Sequence, residues 1–412
     1  MDRVLKHALI NQYILKNLLF IFAIFNFCIA AKAQIPPVEV IRQAFANIEQ
    51  NYYDTTYHAV ENWDTTKKEA FIAALNGELP QNIINNVFAS INDPALRCLT
   101  PEAFNGFYKE AMSPTSIGIG LPELFSVDID EATKEVVVIT PMFGSPAFEA
   151  GILPKDIIRK INGEKVKGKR LQEVTALMRG ELGDIINIKI ERNNGFQNFT
   201  LEIEKLEMPL NPFYRTVKYK RQKTGVIWIP QFSAGCSMRV LQILEEMKKK
   251  GVKNIVLDIR HNPGGLVNEA QAVAGLFIGQ KPMAFSQAKN SAIKMFASTT
   301  TQRCELPVTV LVNSGTASVA EALAGVLQYY DRATVFGQRT NGKGLIYSFF
   351  TLNDLSTLVI PVGRMQMLDG RDILTNGVEP DVIFDNNQPF ALHAKYKDDD
   401  LLFHVIKHLR FK

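Results

Sequence analysis

The sequence has little cysteine: four residues in 412, spaced far apart. Cys28 lies in the N-terminal segment, which leaves Cys98, Cys236 and Cys304 in the rest of the chain. Their spacing matches no metal-binding pattern, and three cysteines cannot all pair with one another. We therefore predict no metal site, whereas a disulfide between two of the three stays open. A cysteine nucleophile is disfavoured, because none has a glycine-rich turn or a nearby histidine in sequence.

The chain also has no large excess of positive or negative residues. The chain has 46 Lys and Arg against 42 Asp and Glu, a formal net charge of +4. This value is small for the length and gives no support for a nucleic-acid partner. Charged residues make up 21% of the chain, which is ordinary for a soluble protein, and the length allows two to four domains.

Only one long apolar run is present, and it lies at the N-terminus. Lys6 and Lys16 precede LLFIFAIFNFCIAA, which ends in the small-x-small pattern Ala31-Lys32-Ala33. The run is short for a spanning helix, so it predicts a secretory signal peptide over residues 1–33. A retained membrane anchor is the alternative. We expect export to the periplasm or cell envelope, with no stable membrane span after signal removal.

The segment from Val308 to Lys343 contains the residues best suited to catalysis. The run VTVLV predicts a buried strand, and ASVAEALAGVLQYY has apolar residues at helical spacing, so a helix should start near Ser318. A second strand, ATVFG, leads into the glycine-rich turn QRTNGKG. Ser318 and Lys343 therefore lie at two turns, 25 residues apart (343 − 318).

A serine and a lysine at such turns can form a catalytic dyad. A serine hydroxyl needs a base to remove its proton, and lysine is that base only in its neutral form. Burial favours the neutral form by lowering the lysine pKa by up to about 3–5 units. The helix N-terminus at Ser318 adds partial positive charge and backbone N–H groups for a developing oxyanion. Ser–Lys is a known variant of the serine triad.

Simpler alternatives exist for both residues. The run Ser318-Val319-Ala320-Glu321 fits the capping box S-x-x-E, so Ser318 alone could serve only as a helix cap. Lys343 alone would be a solvated turn lysine. The segment 337–343 also fits GxxxxGK, but Gly344 replaces the required Ser or Thr and a strand-like segment follows. We therefore exclude a phosphate loop.

The remaining chain divides by pattern. Residues 36–112 have helical periodicity, 113–207 contain short strands and turns, 208–388 alternate strands with helices, and 389–412 predict a helical tail. The alternation predicts a largely parallel sheet with ligand loops at the carboxyl ends of its strands. The turns HNPGG (261–265) and NSGTAS (313–318) each follow such a strand, so we expect them to face one another.

The loop formed by Gly118, Ile119, Gly120 and Leu121 has the pattern G-Φ-G-Φ. Backbone N–H groups in such a loop can hold a terminal carboxylate, and the adjacent strand edge can accept a peptide. Alone, the loop would be a plain tight turn. The segment SPAFEAGILPKDIIRKINGEKV also matches S-P-A-x-x-A-G-Φ-x-x-x-D-x-Φ-x-x-Φ-x-G over residues 145–163. Residues 113–207 therefore resemble a PDZ domain.

Nearly the whole mature chain resembles the carboxyl-terminal processing peptidases, a family of tail-specific serine proteases that contain a PDZ domain. The resemblance rests on NDPALRCLTPEAF, LDIRHNPGGLVNEA, SGTASVAEALAGVLQYYDRATVFGQRTNGKG and NGVEPDV. It implies an α/β crotonase-like protease core over 208–388 that carries an inserted PDZ-like β domain and a helical N-terminal region.

The resemblance also implies residue roles. Ser318 falls on the family's nucleophile and Lys343 on its general base. The oxyanion hole would come from the backbone N–H of Gly264 or Gly265 together with that of Val319.

Two positions depart from the family pattern. Tyr347 stands where the family often has a glutamine that orients the lysine, so it is a candidate orienting group or third member. His261 stands where the family has Asn or Asp. We interpret it first as a turn residue, with a second group titrating near neutrality as the lesser alternative.

The implied activity is that of a serine endopeptidase that needs no cofactor and cleaves polypeptides recognised by their C-termini. A catalytically inactive PDZ-type peptide-binding or chaperone-like protein is the alternative, and Tyr347 is the feature in its favour. An esterase on the same core is a third hypothesis, which the PDZ-like domain disfavours. Whether the chain forms a homo-oligomer stays open.

Overall fold

The structure is a computed structural model that describes residues 35–56, 63–91, 93–113, 115–130, 133–207, 211–289, 291–297, 304–384 and 396–409. The predicted signal peptide lies outside these residues. Within the described ranges, no helix has the length and apolar character needed to cross a bilayer.

The N-terminal region consists of helices and one short strand. Its elements are α1 (Pro37–Asn51), α2 (Trp63–Leu75), α3 (Pro80–Ile91), β1 (Arg97–Leu99) and α4 (Pro101–Met112). Helix α1 buries one face, as its periodicity predicts, through Val40, Ile41, Ala44, Phe45 and Ile48. The buried faces of the first three helices share one apolar cluster with Leu358 and Ile360 of the core.

Residues 115–207 form a small β domain. Its elements are β2 (Thr115–Gly118), β3 (Val127–Ile129), β4 (Val136–Val138), α5 (Pro146–Glu149), β5 (Ile157–Ile161), β6 (Glu164–Lys165), α6 (Leu171–Ala176), β7 (Ile185–Arg192), β8 (Gly195–Glu202) and β9 (Glu204–Glu207). One antiparallel sheet has the order β3-β4-β5-β7-β8, with β6 on β5. The first and last strands, β2 and β9, pair with each other, so the chain enters and leaves the domain at one place.

The core follows, with two sheets. Its elements are β10 (Phe213–Tyr219), β11 (Gln222–Trp228), α7 (Cys236–Lys249), β12 (Asn254–Asp258), α8 (Val267–Ile278), β13 (Pro282–Ala288), β14 (Ser291–Ala297), β15 (Val308–Val312), α9 (Val319–Tyr329), β16 (Ala333–Gly337), β17 (Leu345–Thr351), β18 (Thr357–Gln366), α10 (Ile373–Asn376), β19 (Val382–Ile383) and α11 (Asp400–His408). The main sheet has the order β10-β11-β12-β15-β16-β19, and only β10 pairs antiparallel. The predicted, largely parallel sheet is confirmed.

The main sheet is buried on both faces, as parallel sheets require. Alternate residues of β12 and β15 point to opposite sides, so Leu257 and Val310 join the cluster with α7, α8 and α9. Their neighbours Val256 and Leu311 join Leu402 of α11 on the other face. In the second sheet β18 pairs with β1, β13 and β17, which ties the N-terminal region to the core.

Candidate active site

The two predicted turns meet at the carboxyl ends of neighbouring strands β12 and β15. The N–H of His261 donates to Oδ1 of Asn313 at 2.9 Å, and the N–H of Ala317 donates to the carbonyl of Asn262 at 2.9 Å. Adjacent parallel strands bring their ends together, so this arrangement follows from the sheet order. The expectation that these turns face one another is confirmed.

Ser318 lies at the N-cap of α9 in an unusual backbone conformation. Its φ is 59° and its ψ is −128°, values that a residue with a side chain rarely adopts. Such a conformation costs about 1–3 kcal/mol and is kept only where the surroundings determine it. The side chain of Glu321 accepts the N–H of Ser318 at 2.7 Å, which is the acidic half of the predicted capping box. The capping geometry and a partly buried serine at the helix start therefore occur together.

Gly264 packs directly against Ser318. A Cβ atom at this glycine would lie 2.7 Å from Cβ of Ser318, and its φ is +102°, so no other residue fits without displacement. Its N–H donates to Oδ1 of Asn262 at 2.8 Å. The expectation that Gly264 offers this N–H to a substrate therefore does not hold in this arrangement. In the described part of the chain, the N–H groups of Gly265 and Val319 have no protein acceptor, which leaves them as the candidates.

One carboxylate joins the serine turn to the lysine turn. Glu321 is fully buried, and its Oε2 accepts the N–H of Ser318 at 2.7 Å and that of Lys343 at 2.9 Å. Its Oε1 accepts the N–H of Gly342 at 2.7 Å and the hydroxyl of Thr340 at 2.5 Å. Burial raises the pKa of Glu321, and the hydrogen bonds oppose that rise. The sequence pattern identified Glu321 only as a capping residue, because the turn at 340–343 is distant in sequence.

The amine of Lys343 is held by residues of the small β domain. Its Nζ donates to Oδ2 of Asp128 at 2.7 Å and to the carbonyl of Leu124, and its side chain is 10% exposed. Burial lowers the pKa of Lys343, and the ion pair with Asp128 opposes this effect. Among the described contacts of this amine, none is to the hydroxyl of Ser318. The backbones of the two turns are thus joined through the carboxylate of Glu321, whereas the side chain of Lys343 points to Asp128.

Tyr347 is the aromatic neighbour of the lysine. Its ring centroid lies 5.9 Å from Nζ of Lys343, a distance at which a ring face attracts an ammonium group. Both residues border a cavity of about 280 Å³ that is also lined by Asp128, Asn341 and Arg364. Tyr347 therefore lies next to Lys343, and its role as an orienting group or third member stays a prediction.

His261 does not titrate near neutrality. Its Nδ1 lies 2.9 Å from Oγ1 of Thr140, and burial, together with Arg260, lowers its pKa to about 3. The ring is therefore neutral at physiological pH, and the lesser alternative for this residue is wrong. His261 also has a positive φ of 58°, in keeping with a tight-turn residue.

The predicted carboxylate-binding loop follows strand β2. Gly120 has a φ of +85°, and a Cβ atom there would lie 2.1 Å from Cβ of Ser145, so the loop packs against the start of α5. Beyond the loop, Oε2 of Glu123 accepts the hydroxyl of Thr175 on α6 at 2.9 Å. Gly118, Ile119 and Leu121 complete the loop and are buried.

The remaining predictions concern cysteines and metals. Cys98, Cys236 and Cys304 are all free, so the disulfide left open by the sequence does not form. Across the described ranges, no group of three or more His, Cys, Asp or Glu side chains is arranged to hold a metal ion.

Comparisons with known proteins agree with this architecture. A family model for Peptidase family S41 matches residues 223–384, and one for the PDZ domain matches residues 116–203. A carboxyl-terminal-processing protease of Picosynechococcus sp. is 30% identical over 346 residues, covering 84% of this chain and 82% of that protein. A probable CtpA-like serine protease of Staphylococcus aureus is 31% identical over 376 residues, covering 89% and 71% respectively.

A solved structure is similar as well. The photosystem II D1 C-terminal processing protease superposes with a TM-score of 0.73 at 27% identity, covering 85% of this chain and 93% of that one. An α/β core preceded by a PDZ domain and carrying a serine at a strained helix start defines a PDZ-containing serine protease. The chain belongs to peptidase family S41, the family of carboxyl-terminal processing serine proteases.

Proposed function

We propose that this protein is a serine endopeptidase with Ser318 as nucleophile and Lys343 as general base. The observation that carries the proposal is the carboxylate of Glu321, which accepts the backbone N–H of both residues. Catalysis by two groups requires that their spacing be held, because errors of about 1 Å can cost on the order of 10²-fold in rate. A buried carboxylate shared by the two turns supplies that constraint.

In the proposed first step, the neutral amine of Lys343 takes the proton of Ser318 as Oγ attacks the scissile carbonyl carbon. The N–H of Val319, at the start of α9, and that of Gly265 receive the developing oxyanion. The protonated lysine then gives its proton to the departing amine. Water, deprotonated by the same lysine, hydrolyses the acyl-enzyme.

The contact between Lys343 and Asp128 bears on this cycle. An ammonium group that is paired with a carboxylate cannot accept the proton of Ser318. We infer that the described arrangement is a resting one, and that the segment from Leu124 to Asp128 must release the amine before turnover. This segment follows the loop at 118–121 after two residues, so we propose that a peptide bound at that loop displaces it.

We further propose that the PDZ-like domain binds substrates by their C-terminal carboxylates at residues 118–121. The proposed organisation is a signal peptide over 1–33, a helical region over 36–112, the PDZ-like domain over 113–207, a crotonase-like core over 208–388 and a helical tail over 389–412. Removal of the signal would place the enzyme in the periplasm or cell envelope, where exported polypeptides are its substrates.

The second candidate is an inactive peptide-binding or chaperone-like protein. Two observations favour it: the amine of Lys343 is engaged by Asp128, and Tyr347 replaces the expected glutamine. The strained Ser318 and the close packing of Gly264 against it favour the protease, because a binding protein has no use for either.

The test is hydrolysis of an unfolded polypeptide with a free C-terminus, compared with the same polypeptide amidated at that end. Ser318→Ala and Lys343→Arg should each abolish cleavage, since arginine keeps the charge but cannot act as a base. Ser314→Ala, in the same turn, is the matched control and should stay active. Full activity of Ser318→Ala would refute the proposal, and peptide binding by the wild-type protein without any turnover would favour the second candidate.

A further inference from the structure

A buried arginine in the N-terminal region lacks hydrogen bonds. Arg97, on β1, is 2% exposed, and its Nε, Nη1 and Nη2 have no hydrogen-bond partner among the described residues. The carboxylate of Glu123 is the ion-pair partner, with Oε1 at 3.9 Å from Nη1, beyond hydrogen-bond distance. Burying a guanidinium group without hydrogen bonds is unfavourable, so its presence calls for a role other than stabilisation.

Arg97 and Lys343 contact consecutive residues of one short segment. Arg97 approaches the side chain of Glu123, and the amine of Lys343 donates to the carbonyl of Leu124. The sheet also fixes their relation: Arg97 pairs with Val359 of β18, and β18 pairs with β17, which begins two residues after Lys343. Neither backbone can therefore move far relative to the other.

Charged groups on several elements packed against Lys343 affect the protonation of its amine. Those that favour its protonated form are Asp128 of β3 and Glu321 of α9, whereas Arg97 disfavours it. The other charged or titratable groups on the same cavity are Asp130, Lys155, Tyr347 and Arg364. Arg364 is 37% exposed and lies 3.3 Å from Asp372, so solvent and a carboxylate reduce its field. Water does not reach Arg97, so its field is reduced by the carboxylate of Glu123, 3.9 Å from Nη1, and not by solvent, and Arg97 still lowers the pKa of Lys343.

We propose that Arg97 serves the reaction as a fixed, buried positive charge that, together with burial of the amine, favours the neutral form of Lys343 once Asp128 has released it. It is a positioning residue that acts through Lys343 without touching the substrate. The inference rests on the proposed role of Lys343 as base. A guanidinium group suits this task, because it remains charged at all physiological pH values and cannot exchange roles with the lysine.

The experiment is the pH dependence of kcat/KM for the purified protein and for Arg97→Met. Removing the cation should move the midpoint of the acid limb up by about one pH unit, roughly a tenfold loss on the acid side, with the alkaline plateau retained. Arg97→Lys keeps a charge and should retain most of the wild-type profile. Arg42→Met, at an exposed position of the same N-terminal region, is the control and should leave the profile unchanged.

A second measurement does not depend on turnover. In the Ser318→Ala background, acetylation of Lys343 by acetic anhydride, followed by mass spectrometry across pH, reports the fraction of neutral amine. Adding Arg97→Met should shift that titration upward by the same amount. Because Arg97→Met leaves Glu123 without its ion-pair partner, the double variant Arg97→Met/Glu123→Gln is compared with Glu123→Gln alone. These two proteins differ only in the cation, and the shift should persist between them.

The outcomes separate the hypotheses. A lower kcat with an unmoved acid limb and an unmoved titration would make Arg97 merely structural and overturn the inference. A raised KM confined to substrates with a free C-terminus would make it a substrate-carboxylate site and also overturn it. If Lys343→Ala retains full activity, the proposed function fails as well. If Lys343→Ala is inactive and the titration does not shift, this inference alone fails.

Discussion

Oδ2 of Asp128 lies 2.7 Å from Nζ of Lys343, across the boundary between the PDZ domain and the core. The two residues are 215 positions apart in sequence. This ion pair, together with the hydrogen bond from the same amine to the carbonyl of Leu124, links the PDZ domain to the proposed general base. The following predictions start from it and from the contacts of the serine turn.

Asp128→Asn should make the enzyme more active on the acid side of its profile. The carboxylate raises the pKa of Lys343, so without it the amine is neutral at lower pH, and activity rises as the amine loses its proton. We expect the acid limb to move to lower pH by roughly one pH unit, measured as kcat/KM with an unfolded substrate. Asp130→Asn is the matched control, and an identical shift in both variants would contradict the role of the 2.7 Å contact.

Glu321→Gln should impair catalysis more than stability. The carboxylate accepts from four donors, and an amide in its place presents its own N–H₂ to some of them. The turns of Ser318 and Lys343 would then separate, and we expect kcat to fall by on the order of 10²-fold. Thermal unfolding should show a cost of about 1–3 kcal/mol for each donor left unsatisfied. A variant with normal kcat would show that the shared carboxylate is not needed to align the two turns.

Gly264→Ala should inactivate the enzyme by displacing Ser318. The added Cβ would lie 2.7 Å from Cβ of the serine, so one of the two turns must move. Gly235→Ala isolates the backbone effect, since Gly235 has a φ of +84° and open space around it. That control should lose about 1–2 kcal/mol of stability but keep its activity. Equal losses of activity in both variants would show that backbone strain alone, without the clash, explains the result.

Asp399→Asn should destabilise the fold at neutral pH. Asp399 accepts from Nη1 and Nη2 of Arg260 at 3.1 and 2.6 Å, and Arg260 also binds Asp258 in the same buried cluster. Breaking one partner of a buried ion pair costs about 3–5 kcal/mol. We expect urea unfolding at pH 7 to show a loss of that size. Asp400→Asn, at the exposed next position, should change stability by no more than about 0.5 kcal/mol.

The ion pair between Asp399 and Arg260 also predicts how the stability of the fold depends on acid pH. Burial alone would raise the pKa of Asp399, but Arg260, the N–H of Leu402 and Arg215 together oppose it, and the net effect lowers that pKa. A carboxylate with a lowered pKa stabilises the fold above its unfolded value of about 3.9, and this contribution is lost as pH falls below it. The difference in stability between wild type and Asp399→Asn should therefore shrink below about pH 4. A constant difference down to pH 2 would contradict this account.

Local sequence pattern was sufficient to predict strand β15, helix α9 and the two residues of the candidate dyad. The apolar run at 308–312 and the helical spacing from Ser318 onward predicted β15 and α9, because strand and helix periodicities depend on neighbouring residues. Alternation of strands and helices predicted the parallel sheet, and the parallel sheet predicted that the turns at 261–265 and 313–318 would meet. The resemblance to the carboxyl-terminal processing peptidases supplied the roles.

Only the tertiary structure decided where the side chains of those turns point. It shows that the N–H of Gly264 donates to Asn262, that Glu321 accepts from both turns and that Lys343 pairs with Asp128. It also shows that Arg97 is buried beside Glu123. Each contact joins residues through side-chain direction and burial, and periodicity carries no information on either across long stretches of chain. The sequence by itself determined which residues occupy the turns, whereas packing of the PDZ domain and β1 against the core determined the electrostatic environment of the lysine.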